Sequence, residues 1–305
     1  MNRIAFPPVL AATLLASPAL ASPPSVMTDI APVQSLVAMV SGEMPGVLIA
    51  PGASAHAPDL RPSQARALEA AEIVVWIGPE LTPWLADSIT TLSGEASIVT
   101  LVGDTASHDD HDDHDDHDDH DDHDDHDAEA GHDHAHSIEA HSWLDPAIAT
   151  LWVDRIAKTL AEADPDGAET YRTNAETARA RIAASADAAR ATLAPVLDRP
   201  ILVAHDAWGA YERAFGLTVA GAMADGHAAP AGAARLSRLQ RTEAVCLLVE
   251  PGTSGRQIAT MTEGRDLSVT RADPLGGDIA PGADLYPTLI ESVAERLAGC
   301  LSADG

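Results

Sequence analysis

Ten of the fourteen histidines lie between His108 and His136. From His108 to Asp127 the chain reads HDDHDDHDDHDDHDDHDDHD, which sets His108, His111, His114, His117, His120, His123 and His126 at a strict interval of three with aspartates between them. His132, His134 and His136 follow. Neutral imidazole nitrogen and carboxylate oxygen are the donors that suit Zn²⁺ and other divalent transition metals. The tract offers no aliphatic or aromatic side chain to bury, and its thirteen aspartates repel one another. These properties predict a flexible, solvated loop rather than a packed element. An acidic solubility segment is the plainer reading, but histidine adds nothing to solubility. Low-affinity metal collection accounts for both residue types.

Four histidines stand apart from the tract. His56 follows the apolar run VLIA, His141 precedes SWLDP at the end of the insertion, His205 follows ILVA, and His227 sits in the Gly/Ala/Pro segment MADGHAAPAG. Taken singly, each reads most simply as a capped or solvent-facing histidine. His56 and His205 nevertheless fall just past two predicted strands, at the edge where open α/β sheets bind ligands. No HxxxH spacing links them, so only the fold can bring them together.

The elements that would position them alternate in type. Val47–Ala50, Ile73–Ile77, Ser97–Val102, Ile201–Ala204, Cys246–Glu250 and Leu267–Arg271 are short apolar or β-branched runs, read as strands, several of them covered on both faces. Between them, Ser63 is placed to cap a helix over QARALEAAE, and Pro83 falls in the first turn of another. Trp208–Phe215, Ala231–Thr242, Ser254–Glu263 and Pro287–Leu297 also read as helices. Gly167 to Leu193 is rich in Ala, Arg and Glu with no interior Gly or Pro, and predicts one long helix that Pro195 and Pro200 end. The fold class expected is α/β: two lobes with mostly parallel sheets flanked by helices, joined by one long rigid helix. The expected divisions are 1–21, 22–166, 167–195 and 196–305, with the His/Asp insertion at 103–140.

Residues 1–21 have the form of a secretory signal peptide: Arg3, an apolar core from Val9 to Ala16, and an Ala19-Leu20-Ala21 cleavage site. An exported protein in the periplasm is expected. The formal charge of −29 argues against nucleic-acid binding. Lys158 is the one lysine, and no glycine-rich run precedes it, so a GxxxxGK[ST] nucleotide site is excluded. In an oxidising compartment Cys246 and Cys300 more readily form a disulfide than a two-thiolate metal site, which would need closer spacing.

PGASAHAPDLRPSQARALEAAEIVVWIGPELTPWL, HSWLDP, HDAWGAYERAFGL and RADPLGGDIAPGADLY occur in this order. Together they resemble the periplasmic solute-binding proteins of zinc-uptake ABC transporters, the ZnuA type, over nearly the whole chain after the signal segment. The acidic, histidine-rich insertion and the placement of Cys246 and Cys300 are also typical of that family. The resemblance implies a metal site in the interlobe cleft with His56, His141 and His205 as zinc ligands. It further implies an inner-membrane permease as partner and a monomeric protein. Some relatives carry an acidic residue just before the first histidine, where this chain has Ala55. Related binding proteins take an aspartate from the region matched by ADPLG, so the resemblance implies Asp273, or else a water, as the fourth ligand. Asp278 is the second choice, and Glu250 organises the cleft loop. The plainer reading of Asp273 is a helix- or turn-capping aspartate before Pro274.

Three other classes share parts of this pattern. A binding protein of the same fold for Mn²⁺ would favour more oxygen donors. A periplasmic zinc chaperone would share the same site. A metallohydrolase fits poorly, since neither HExxH nor GxSxG is present.

Overall fold

The computed structural model describes residues 23–50, 52–57, 60–102, 140–225 and 232–303. The signal segment, all ten histidines of the insertion and His227 lie outside the described residues.

Two four-stranded sheets carry the fold. In the first, β1 (Val26–Thr28), β2 (Gly46–Val47), β3 (Ile73–Trp76) and β4 (Ser97–Thr100) lie in the order β2-β1-β3-β4. In the second, β5 (Ile201–Val203), β6 (Val219–Ala222), β7 (Cys246–Val249) and β8 (Ser268–Arg271) take the order β6-β5-β7-β8. Every pairing is parallel, as expected of strands whose crossovers are helical. β3 and β7 are central and buried at every position, which explains their uninterrupted apolar sequences IVVW and CLLV. The two sheets thus repeat one strand order.

Helices α1 (Ala31–Ser41), α2 (Pro62–Glu69), α3 (Pro83–Leu92) and α4 (Pro146–Ala163) belong with the first sheet. The chain then runs through α5 (Ala168–Leu193) into α6 (Gly209–Phe215), α7 (Ala233–Leu239), α8 (Gly255–Thr262) and α9 (Leu285–Ser302). The 26-residue α5 buries Tyr171, Ala175, Ala178, Ile182, Ala186, Ala189 and Leu193, a stripe at helical spacing whose alanines admit close neighbours. It packs along α1, α4 and α9, so it is a core element and not a bare spacer. One hydrophobic core extends from Ile30 and Val37 through Ile182 to Tyr211 and Leu297, uniting both lobes. Cys246 and Cys300 form a disulfide with Cα atoms 5.8 Å apart, fastening the start of β7 to the end of α9.

Several boundaries differ from the sequence reading. Ser63 is not the N-cap of α2: the helix begins at Pro62, and Gln64 reaches back to accept the Arg61 N–H at 2.7 Å. β2 covers only Gly46–Val47, α7 is shorter than expected, and α9 extends to Leu285 and Ser302. β1, α1, α4 and β6 were not expected. In α1 all residues from Ala31 to Val40 are buried, so it has no polar face and no amphipathic period to betray it.

Candidate metal centre

The chain places three histidines around one point, His56 and His141 from the first lobe and His205 from the second. His56 lies in the loop after β2, where its N–H meets Ser54 Oγ at 3.3 Å and the Trp84 indole donates to the Ala55 carbonyl at 2.9 Å. His141 precedes the 3₁₀ turn Ser142–Leu144. That turn leads into Asp145, whose carboxylate accepts the Ala147 N–H at 2.8 Å and caps α4. His205 stands two residues beyond β5. His141 and His205 are 3% and 9% exposed, and His56 is half-buried.

Ring centroids are 5.6 Å apart for His56 and His141, 5.2 Å for His56 and His205, and 5.1 Å for His141 and His205. One donor nitrogen from each lies within 4.8 Å of the other two. Nitrogens bound to a common tetrahedral zinc at ~2.0–2.1 Å sit about 3.3 Å apart, so modest side-chain rotations bring these donors onto one ion. All three line a cavity of about 420 Å³ between the lobes.

The supporting residues explain why the rings stay there. The buried Trp143 donates its indole N–H to the Pro274 carbonyl at 2.8 Å and accepts at its own carbonyl from Tyr286 Oη at 2.7 Å. Burial pushes the Tyr286 hydroxyl well above its ordinary range, so it remains a proton donor. The Tyr286 N–H reaches back to Ser35 Oγ at 3.0 Å. His141 is therefore braced against the second lobe through the residue two positions on.

Asp273 lines the same cavity, but its carboxylate caps a turn: Oδ1 accepts from the Leu275 N–H and Oδ2 from the Gly277 N–H, both at 2.9 Å. A Cβ at Gly277 would sit 2.5 Å from Asp273 Oδ2 and 3.0 Å from the Gly52 nitrogen, so only glycine lets this turn approach the His56 loop. Among the described residues the donor group contains the three histidines and not Asp273. Asp278 is paired with Arg296 and does not line the cavity.

Glu250 proves more closely engaged than its sequence context suggests. Its Oε2 lies 3.3 Å from His205 Nδ1, and its Oε1 accepts from the Trp208 indole at 3.0 Å. The strand register is the cue to this contact. Val203 pairs with Leu248, so His205 and Glu250 each stand two residues past a registered pair of parallel strands. The arrangement as a whole offers a divalent ion three nitrogen donors, with room for one more ligand.

Comparison with known proteins places this architecture. The family ZnuA, described as zinc-uptake complex component A, periplasmic, matches residues 26–300. The high-affinity zinc uptake system protein ZnuA of Paracoccus denitrificans is 40% identical, over 97% of this chain and 98% of its own length. The crystal structure of a zinc-bound ZnuA deletion mutant superposes with a TM-score of 0.75 at 19% identity, covering 93% of this chain and 100% of the other. A manganese-bound solute-binding protein, FpvC of Pseudomonas aeruginosa, does so with a TM-score of 0.73 at 17% identity, covering 93% and 100%. The fold is thus common to proteins crystallised with either metal.

Proposed function

Since the chain belongs to the ZnuA family, we propose that it captures Zn²⁺ in the periplasm and delivers it to the permease of an ABC transporter. The observation that carries this reading is the convergence of His56, His141 and His205, far apart in sequence, to within 4.8 Å. Three neutral imidazoles and one further ligand make the four-coordinate site zinc prefers. Water is the simplest fourth ligand, because Asp273 is already committed to two backbone N–H groups. Asp273 retains lone pairs and is the protein group best placed to replace it. The nitrogen-rich donor set favours Zn²⁺ over Mn²⁺, which suits oxygen ligands.

The protein's work is binding and transfer: zinc–nitrogen coordination bonds form and break, and no covalent bond changes. Residues 1–21 serve export and are removed, and the exported protein acts as a monomer. The His/Asp tract from His108 to His136 raises the local zinc concentration beside His141, which ends the same insertion. Protonated imidazole cannot ligate, so zinc binding weakens as pH falls.

Competition between this protein and a fluorescent chelator tests the reading. One tight zinc site is expected, lost on substitution of any of the three histidines, with Mn²⁺ unable to displace the zinc at equal concentration. Tight binding that survives all three substitutions would reject the site. Displacement by equimolar Mn²⁺ would reject the choice of metal.

A further inference from the structure

The Glu250 carboxylate serves two rings at once, and this requires two acceptor atoms in one side chain. Oε1 accepts from the Trp208 indole at 3.0 Å, while Oε2 faces His205 Nδ1 at 3.3 Å. The backbone beneath is held as well: the Glu250 N–H donates to Thr253 Oγ1 at 3.1 Å, and its carbonyl accepts from Arg271 at 2.7 Å. The side chain is 15% exposed. Because β5 and β7 are registered neighbours, the contact with His205 is built into the sheet.

We propose that Glu250 is a positioning residue, which fixes the proton of His205 on Nδ1 and thereby leaves Nε2 as the metal-binding nitrogen. The proposal rests on the reading of His205 as a zinc ligand. A carboxylate only accepts, so the ring nitrogen facing it must carry the proton. An outer carboxylate of this kind also makes the imidazole a better donor and places negative charge near the incoming cation.

Glutamine has nearly the same shape but cannot do the same. It has one acceptor oxygen and two N–H donors. With its oxygen toward Trp208, its amide N–H groups face Nδ1, which must then accept. The His205 proton moves to Nε2 and occupies the lone pair the metal needs. With the amide turned round, two donors oppose each other at Trp208 in a nearly dry site. Only a group with two acceptors satisfies both rings.

The test uses the full-length mature protein. Glu250→Gln should weaken zinc binding about 10–100-fold, the range typical for loss of an outer-shell partner. Long-range ¹H–¹⁵N spectra of the zinc-free protein should show His205 protonated on Nδ1 in the parent and on Nε2 in the variant. Adding Trp208→Phe to Glu250→Gln removes the competing donor, lets the amide oxygen turn to His205, and should recover most of the affinity.

Unchanged affinity in Glu250→Gln, an unchanged tautomer, or no recovery in the double variant would each overturn the proposal. His205→Ala separates this from the underlying reading. If that substitution abolishes tight binding while Glu250→Gln does not, only the role of Glu250 falls. If it leaves tight binding intact, the ligand assignment itself is wrong.

Discussion

The indole of Trp143 and the carbonyl of Pro274 are joined by a buried hydrogen bond of 2.8 Å that crosses from the segment of His141 to the turn capped by Asp273. Trp143 stands two residues from His141 and Pro274 one from Asp273, so this bond ties a segment of the metal centre to the opposite lobe. Replacing Trp143 by Phe keeps most of the apolar volume but leaves the Pro274 carbonyl buried and unpaired. That should cost about 1–3 kcal/mol, read from urea unfolding, and should weaken zinc binding because His141 loses its brace. A variant as stable as the parent would show that the bond contributes nothing.

Alanine in place of His56, His141 or His205 should each reduce zinc affinity by more than the ~10–100-fold seen for outer-shell partners. His141 and His205 are nearly enclosed and His56 is not. The His56 variant should therefore retain the most residual binding, through the two remaining rings. Chelator competition ranks the three directly, and a His56 variant weaker than both others would contradict the order.

Asp29 predicts a pH dependence of a different origin. Complete burial pushes its carboxyl from 3.8 up to about 7, against the lowering effect of hydrogen bonds from the Ile77 and Ile30 N–H groups. A folded value above the unfolded one means the folded state holds a proton that the unfolded state releases. This contribution to stability is complete below about pH 4 and is lost as pH rises to about 7, a change of roughly 4 kcal/mol. Asp29→Asn cannot accept both N–H groups and should be less stable in acid, yet it lacks this decline. Denaturant melts at pH 4, 5.5 and 7 measure the difference in slope, and parallel slopes for the two proteins would dismiss it.

The disulfide closes a loop with a sequence separation of 54. Replacing both Cys246 and Cys300 by alanine should lower stability by about 4 kcal/mol in the chain-entropy account. The metal-binding rings lie on other elements, so zinc affinity at low temperature should change little. A large loss of affinity without loss of stability would reverse that assignment.

Deleting residues 108–136 should slow zinc acquisition at limiting metal while leaving one tight site. Stopped-flow loading and equilibrium titration separate the two effects. Disappearance of the tight site on deletion would mean the tract itself holds it.

Much of this was legible in the sequence, for reasons that also explain the gaps. Uninterrupted apolar runs such as IVVW and CLLV mark strands covered on both faces, and the alanine-rich stretch before Pro195 marks α5. The motifs around His56, HSWLDP and HDAWG pointed to the three histidines that the fold gathers. Helix α1 left no trace because it is buried on every side, and β6 is written in the small residues VAGA. From sequence Glu250 reads only as a loop organiser, since its meeting with His205 depends on β5 and β7 being neighbours while β6 intervenes in sequence. The Asp273–Pro274 pair makes a turn-capping role for Asp273 legible in the sequence, but its second partner, the Gly277 N–H, is set by the folded turn.

The unbroken core that runs through α5 and binds both lobes has a consequence for hand-over. A body sealed in this way has little freedom to clamp and unclamp as a whole. Cargo status must then be written in the posture of a few rim residues, chiefly the half-buried His56 and its loop. A receptor that tells a laden carrier from an empty one is then expected to read that rim rather than the outline of the whole body.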